Sequence, residues 1–154
     1  MCIRDRASKT YGAANPAFSA TVAGTVNGDA LNYTLATTAT TASGVGLYPI
    51  TVTLGLNPNY SVTPTNGTLT VGQATATVTA NPATKVYGTA DPILTGTLSG
   101  FLPADGITAT YRRMSGETVA GSPYTISATL SPTAAVANYS ITYKTCLLYT
   151  SRCV

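Results

Sequence analysis

Apolar and polar residues alternate along several short segments of the chain. Between residues 48 and 54 every second residue is apolar, and proline or threonine occupies the positions between them. Residues 124–130 alternate in the same way. Because a period of two is typical of a strand with one buried face, we predict a strand at each segment. Shorter alternating runs predict further strands at residues 18–22, 60–62, 68–71, 74–80, 94–98 and 139–143.

Turn-forming residues separate these segments. Asn15-Pro16, Asn57-Pro58 and Asn66-Gly67 are pairs that favour turns. Asn66-Gly67 lies between two predicted strands, so we predict a hairpin there. Helical periodicity is not sustained anywhere in the sequence. Short strands that each have one apolar face favour a β-sandwich, in which two sheets cover each other.

One motif occurs twice in the chain. Lys9-Thr10-Tyr11-Gly12 returns 76 residues later as Lys85-Val86-Tyr87-Gly88. The shift of 76 continues to Leu54 and Leu130, and it reaches 79 residues at Tyr60 and Tyr139. Such self-similarity identifies a repeat protein. We therefore predict an all-β chain of two tandem copies of one module, at residues 7–73 and 74–145.

The two ends of the chain are expected to be foreign to it. Residues 1–6 resemble a translated sequencing adapter, and residues 146–154 resemble the translation of its reverse complement. We exclude both segments from the predicted modules, as one excludes a fusion scar. On this division the first copy is expected to lack its opening strand and the second copy its closing strand. The chain is then a fragment of a longer array, as metagenomic sequencing yields.

Composition adds few constraints to this picture. Only 8% of the residues are charged, against about a quarter in ordinary soluble domains. All three cysteines (Cys2, Cys146 and Cys153) lie in the excluded ends, so no disulfide framework is predicted. Three of the eight basic residues lie there too, and the formal net charge of +3 therefore overstates the basicity of the modules. We predict neither nucleic-acid binding nor membrane insertion of this fragment.

Several motifs occur in the same order in both copies. Their residues are Tyr11, Gly12, Asn15, Pro16, Tyr48 and Tyr60 in the first copy, and Tyr87, Gly88, Asp91, Pro92, Tyr124 and Tyr139 in the second. With the Asn-Gly-Thr-Leu-Thr-Val ending of the first copy, they resemble the MBG-type bacterial Ig-like repeat over residues 7–145. The resemblance implies two tandem Ig-like β-sandwich modules without catalytic residues or cofactors. It also implies an extracellular or cell-surface location in a large adhesin-like protein.

The tyrosines of these motifs have two possible roles. Exposed rings at Tyr11 and Tyr87 could stack on sugars. We favour the alternative, in which the ring packs and the hydroxyl group hydrogen-bonds to a loop backbone, as in a tyrosine corner. The same interpretation applies to Tyr60 and Tyr139. The glycine that follows Tyr11 or Tyr87 is expected to form a turn with positive φ.

Few acidic residues are available for metal binding or catalysis. Asp29 and Asp105 occupy equivalent loops in different copies, so they cannot share one calcium ion. Arg112-Arg113 could bind an anionic group, but a solvated strand end beside Glu117 is favoured. The sequence shows no base that would activate a nucleophile, and no arrangement that indicates an isopeptide crosslink. We predict that the fragment is not an enzyme and holds no cofactor or metal.

Three functions remain open at this point. The favoured one is a structural spacer in the stalk of a large bacterial surface or secreted protein, with neighbouring repeats of the same chain as partners. The alternative is a binding module whose loops, at residues 36–46 or 131–137, contact glycans or matrix and host proteins. A weaker alternative is an accessory module of an extracellular enzyme.

Overall fold

The computed structural model describes residues 2–3 and 6–152. Residues 1, 4, 5, 153 and 154 of the excluded ends lie outside the described residues. The described chain consists mainly of strands and loops, which confirms the all-β prediction. It divides into two compact units, the first ending at Gln73 and the second beginning at Ala74. No helix within the described ranges is long and apolar enough to cross a membrane.

The first unit is built on one four-stranded sheet. The strands described in this unit are β1 (Cys2–Ile3), β2 (Arg6–Thr10), β3 (Tyr33–Thr37), β4 (Gly46–Leu54), β5 (Thr63–Pro64) and β6 (Gly67–Gly72). The sheet has the order β2-β6-β4-β3, in which β2 runs parallel to β6 and the other neighbours are antiparallel. β1 and β5 form a separate parallel ladder of two residue pairs.

The second unit contains a four-stranded and a three-stranded sheet. Its described strands are β7 (Ala74–Ala80), β8 (Ala83–Val86), β9 (Gly96–Ser99), β10 (Thr108–Arg113), β11 (Tyr124–Ser131), β12 (Tyr139–Lys144) and β13 (Cys146–Ser151). One sheet has the order β10-β11-β13-β8, and the other has the order β12-β7-β9. A single-turn helix, α1 (Thr133–Val136), connects β11 to β12. The pairing of β8 with β13 and of β11 with β13 repeats that of β2 with β6 and of β4 with β6.

The predicted alternation builds the core of each unit. Ile50 in β4 and Ile126 in β11 are both 0% exposed, whereas the threonine after Ile50 and the serine after Ile126 are exposed. Successive side chains of a strand point to opposite faces, so a single apolar face supplies the core. Ile50 packs with Leu69 of β6, and Ile126 packs with Leu148 of β13. The predicted orientation of these two strands is confirmed.

The closing strand of the second unit is present, so the prediction that this copy lacks it is wrong. β13 consists of Cys146–Ser151, residues that we excluded from the modules. Leu148 pairs with Tyr124 as Leu69 pairs with Tyr48 in the first unit. The segment fits this place because its residues alternate: Leu148 and Thr150 are buried, whereas Tyr149 is exposed.

β1 is the described counterpart of the opening strand β7. β7 pairs with β12 over six residues and with β9 over four, whereas β1 pairs with β5 over two. The strand predicted at residues 18–22 is wrong: only an isolated bridge at Thr21 is described there. Residues 60–62 likewise precede β5 rather than form a strand.

The hairpin predicted at Asn66-Gly67 is also wrong. β5 and β6 flank this turn but belong to different sheets, as β12 and β13 do in the second unit. The turn therefore carries the chain from one sheet to the other. Asn66 supports it by accepting a hydrogen bond from the backbone N–H of Val52 at 3.3 Å.

Candidate functional site

The lysine of each repeated motif is buried. Lys9 in β2 is 8% exposed and Lys85 in β8 is 7% exposed. Burying an ammonium group is costly unless it is hydrogen-bonded or paired with an opposite charge. Neither lysine was among the predicted site residues. The signal that could have found them is the return of the same cation at the same position in a chain with few charges.

In the first unit the lysine binds backbone carbonyl groups. Lys9 Nζ donates hydrogen bonds to the carbonyl oxygens of Ala13 at 3.1 Å and Thr40 at 2.6 Å. Beside it, Asn15 Nδ2 donates to the carbonyl oxygen of Ala39 at 2.7 Å. Gly12, with φ of 81°, lets the chain turn back after β2. These contacts fasten the loop after β2 to the loop after β3.

In the second unit the equivalent lysine binds two carboxylates. Lys85 Nζ lies 2.7 Å from Asp91 Oδ1 and 2.8 Å from Glu117 Oε2. Arg113 Nε lies 2.7 Å from Asp91 Oδ2, and its guanidinium group also pairs with Glu117. Each carboxylate therefore bridges both cations. We call these four residues the ion cluster. It fastens the loop after β8 to the loop after β10.

Arg113 is not the solvated residue that the sequence predicted. Its side chain is only 10% exposed and lies 5.5 Å from the centroid of the Tyr124 ring. It also donates hydrogen bonds to the carbonyl oxygens of Met114, at 3.0 Å, and Gly116. Arg112, its neighbour in β10, is exposed. The two arginines differ because they point to opposite faces of one strand.

A tyrosine–aspartate pair recurs in both units. Tyr60 donates its hydroxyl hydrogen to Asp29 Oδ2 at 2.7 Å, and Tyr139 donates to Asp105 Oδ2. Each hydroxyl oxygen also accepts a hydrogen bond from a backbone N–H near that aspartate, at 3.0 Å in the first unit and 2.9 Å in the second. The two aspartates that we considered as metal ligands therefore hold tyrosines in place.

The other motif tyrosines differ in exposure. Tyr48 and Tyr124 donate their hydroxyl hydrogens to loop carbonyl oxygens, at 2.9 Å and 2.8 Å. Tyr11 is 8% exposed, whereas its counterpart Tyr87 is 56% exposed. Gly88 has φ of 82°, close to the value of its counterpart in the first unit. Pro16 and Pro92 lie in the loops that follow the two turns, outside the strands.

The repeated geometry agrees with a known family of repeats. The family model described as the MBG domain, YGX type, matches the chain twice, over residues 3–70 and 76–148. The chain belongs to this family. The two matches confirm the resemblance inferred from the motifs and their duplication. No curated protein matches the chain.

The charges in the second MBG domain stabilise one another. Hydrogen bonds from Arg113 and then from Lys85 lower the pKa of Asp91 from 3.8 to about 2. Hydrogen bonds from the same two cations, Lys85 first, lower the pKa of Glu117. In return, the two carboxylates raise the pKa of Lys85. All four groups are therefore charged at neutral pH.

The ion cluster brings together the groups of an amide crosslink, an arrangement that the sequence did not reveal. Condensation of Lys85 with Asp91 requires an uncharged amine that attacks a protonated carboxyl group, with loss of water. The pKa of Lys85 is raised and that of Asp91 is lowered, so both shifts favour the charged forms. The contact between the two loops is therefore described as an ion pair.

Proposed function

We propose that this chain is a structural segment of a longer array of MBG domains in the stalk of a large bacterial surface or secreted, adhesin-like protein. The observation that carries the proposal is the junction of the two copies. β6 ends at Gly72 and β7 begins at Ala74, so one residue separates the strands of successive domains. A connection this short differs from the long Gly/Ser or Pro-rich tethers that link independent modules. It suits a spacer whose length and stiffness matter.

The contacts within each domain agree with a structural role. The motif lysines, Lys9 and Lys85, fasten loops, and Tyr60 and Tyr139 fasten the loops that carry their aspartates. MBG domains generally occur in extracellular or surface proteins and are generally non-catalytic. An extracellular location, with neighbouring MBG domains as partners, is part of this proposal.

Small-angle X-ray scattering on tandem arrays tests the spacer function. Arrays of one, two and three copies of this chain should show a maximum dimension that grows in proportion to copy number. A matched control array replaces Gln73 with a flexible Gly/Ser linker of about ten residues, and its dimension should grow more slowly. Equal growth of the two arrays, or growth with the square root of copy number in both, would contradict a stiff spacer.

A second candidate function is glycan binding, and the exposure of Tyr87 favours it. Tyr87 borders a surface depression of about 480 Å³ that is also lined by Thr118, Val119, Ala120 and Arg152. A tyrosine ring with one exposed face can pack on the apolar face of a sugar while its hydroxyl group remains in water. The same function would allow contacts with matrix or host proteins through residues 36–46 or 131–137.

A glycan array tests whether the chain binds glycans in addition to acting as a spacer. The wild-type chain and Tyr87→Ala would be probed in parallel, with Tyr149→Ala as a control at another half-exposed tyrosine. Saturable binding that only Tyr87→Ala abolishes would support the glycan site. Binding that both variants retain would contradict a site at Tyr87 and direct attention to the two loops.

A further inference from the structure

The loop that carries Asp29 contains a tight turn at Asn27-Gly28. The backbone N–H of Asp29 donates a hydrogen bond to the carbonyl oxygen of Val26 at 3.1 Å. The two residues between them have positive φ, 54° at Asn27 and 76° at Gly28. These values are typical of a type I′ turn, in which asparagine followed by glycine is favoured. All four residues of the turn are exposed.

An asparagine that precedes a glycine can modify itself, which makes it a thermolabile residue. The backbone nitrogen of the glycine attacks Cγ of the asparagine, the new N–Cγ bond closes a succinimide ring, and the Cγ–Nδ2 bond breaks with loss of ammonia. Water then opens the ring at either carbonyl group and leaves aspartate or isoaspartate. Among the described residues, nothing beyond its chain neighbours lies within 4 Å of the place that a Cβ of Gly28 would occupy. This side of the glycine is therefore open to solvent.

Asn66-Gly67 is the same pair of residues in a different setting. Asn66 Oδ1 accepts a hydrogen bond from Val52 N–H at 3.3 Å, and Gly67 is buried at the start of β6, where it pairs with Ile50. Attack at this position requires the strands to separate, whereas at Asn27 only an exposed turn must open. Every other asparagine of the chain precedes tyrosine or proline, and proline has no N–H to attack with.

We propose that Asn27 of the first domain is a site of spontaneous deamidation, which converts it to aspartate or isoaspartate. The turn positions the tyrosine–aspartate pair, because Val26 N–H donates to the Tyr60 hydroxyl group at 3.0 Å and Asp29 accepts from it at 2.7 Å. Isoaspartate adds one carbon atom to the main chain of the turn, and aspartate adds a second carboxylate near Asp29. Either product loosens the hydrogen bonds of Tyr60. The second domain has Pro103-Ala104 at the equivalent positions, and the inference does not depend on the stalk function.

Peptide mass spectrometry on the full chain tests the proposal. The folded chain is incubated in mildly alkaline buffer, which favours the deprotonated, attacking form of the backbone nitrogen, and the fraction of acid at each asparagine is followed after digestion. Asn27 should react at least about ten-fold faster than Asn66, because an exposed turn opens more readily than a core strand. In guanidinium chloride the two rates should converge. Equal rates in the folded chain, or an unmodified Asn27 after the unfolded chain has reacted, would overturn the proposal.

Hydrogen exchange tests the consequence for the loop. After incubation, when Asn27 has reacted, the amide of Val26 should exchange faster than in the fresh chain. The matched control Asn27→Gly lacks the reactive amide and keeps the turn, since glycine adopts positive φ without strain. Its exchange should be the same before and after incubation. Unchanged exchange at Val26 in the reacted chain, or an equal increase in the control, would contradict the effect of deamidation on the tyrosine–aspartate pair.

Discussion

The two MBG domains share a core and differ in what surrounds it. Leu69 and Leu148 are both 0% exposed, at equivalent positions of the closing strands β6 and β13. In the second domain β7 contributes buried residues to the core, and Tyr124 and Tyr139 are buried, whereas their counterparts Tyr48 and Tyr60 are only partly buried. The alternating pattern thus determines the centre of the core in both domains, and the cover of the outer core differs between them.

The motif lysines give a second comparison. Lys9 reaches carbonyl oxygens and Lys85 reaches carboxylates, yet both are buried to the same degree. Asn15 and Asp91 occupy equivalent positions, and each holds the same loop by a different kind of contact. The position of the buried ammonium group is therefore a property of the fold. The charge of its partners is a property of each copy's sequence. Single substitutions can therefore exchange a neutral partner for a charged one.

The largest expected effect is the loss of stability when a central core residue of either domain is truncated. Ile126→Ala should lower the free energy of unfolding of the second domain by about 2–5 kcal/mol, because it leaves a cavity among fully buried residues. Ile50→Ala should cost less within this range, since the more open core of the first domain can relax around the cavity. Denaturant unfolding followed by hydrogen exchange in each domain measures both values. A larger cost for Ile50→Ala would contradict the difference in cover.

The next effect concerns the tyrosine–aspartate pairs. Tyr139→Phe removes the partner of a backbone N–H and of Asp105, so it should destabilise the second domain by about 1–3 kcal/mol. Tyr60→Phe should cost less, because the more exposed first-domain groups can bind water instead. The same unfolding measurement compares the variants, with Tyr143→Phe as a control at an exposed tyrosine. Equal costs at Tyr60 and Tyr139 would mean that cover does not govern the strength of the pair.

Sequence patterns predicted the strands that lie in the core. They did not predict features that depend on which distant segments pair with each other. The alternation at Ile50 and Ile126 is a local signal, and it identified both strands and their buried faces. The segment around Phe18 alternates as well, but only an isolated bridge at Thr21 is described there. Turn chemistry at Asn66-Gly67 predicted a turn without indicating that the strands beside it join different sheets.

The ion cluster could not be predicted from the sequence for a similar reason. Lys85 and Glu117 are 32 residues apart, and neither residue's local pattern indicates the other. Arg113 stands beside an exposed arginine, so its burial depends on the strand register and not on its neighbours' composition. A polar network is found from sequence only when its members are close in the chain or recur together. The recurrence of the lysine was such a signal, but its partners differ between the copies.

Acid should destabilise the second domain more than the first. The pKa of Asp91 is lowered from 3.8 to about 2, so the stability that its charge contributes is present above about pH 4 and is lost as the pH falls through 2. Lys9 has carbonyl partners and loses nothing by this route. Domain-resolved unfolding between pH 5 and pH 2 should therefore show an additional loss in the second domain.

Exchange of the equivalent residues controls this prediction. Asp91→Asn should reduce the additional acid sensitivity of the second domain, because it replaces one titrating carboxylate with the amide of the first copy and leaves the contribution of Glu117. Asn15→Asp should introduce acid sensitivity into the first domain, since the new carboxylate lies beside Lys9. A pH profile that Asp91→Asn leaves unchanged would show that other carboxylates cause the loss.

The smallest expected effect is at the motif tyrosine of the second domain. Tyr87→Ala should change the free energy of unfolding by less than about 0.5 kcal/mol, because a ring that is 56% exposed has few contacts to lose. Tyr11→Ala should destabilise the first domain clearly more, since its ring is 8% exposed. Thermal unfolding of the two variants measures the difference. If Tyr87→Ala were the more destabilising change, the ring would hold the loop after β8 in place, and the glycan candidate would lose the free aromatic face on which it depends.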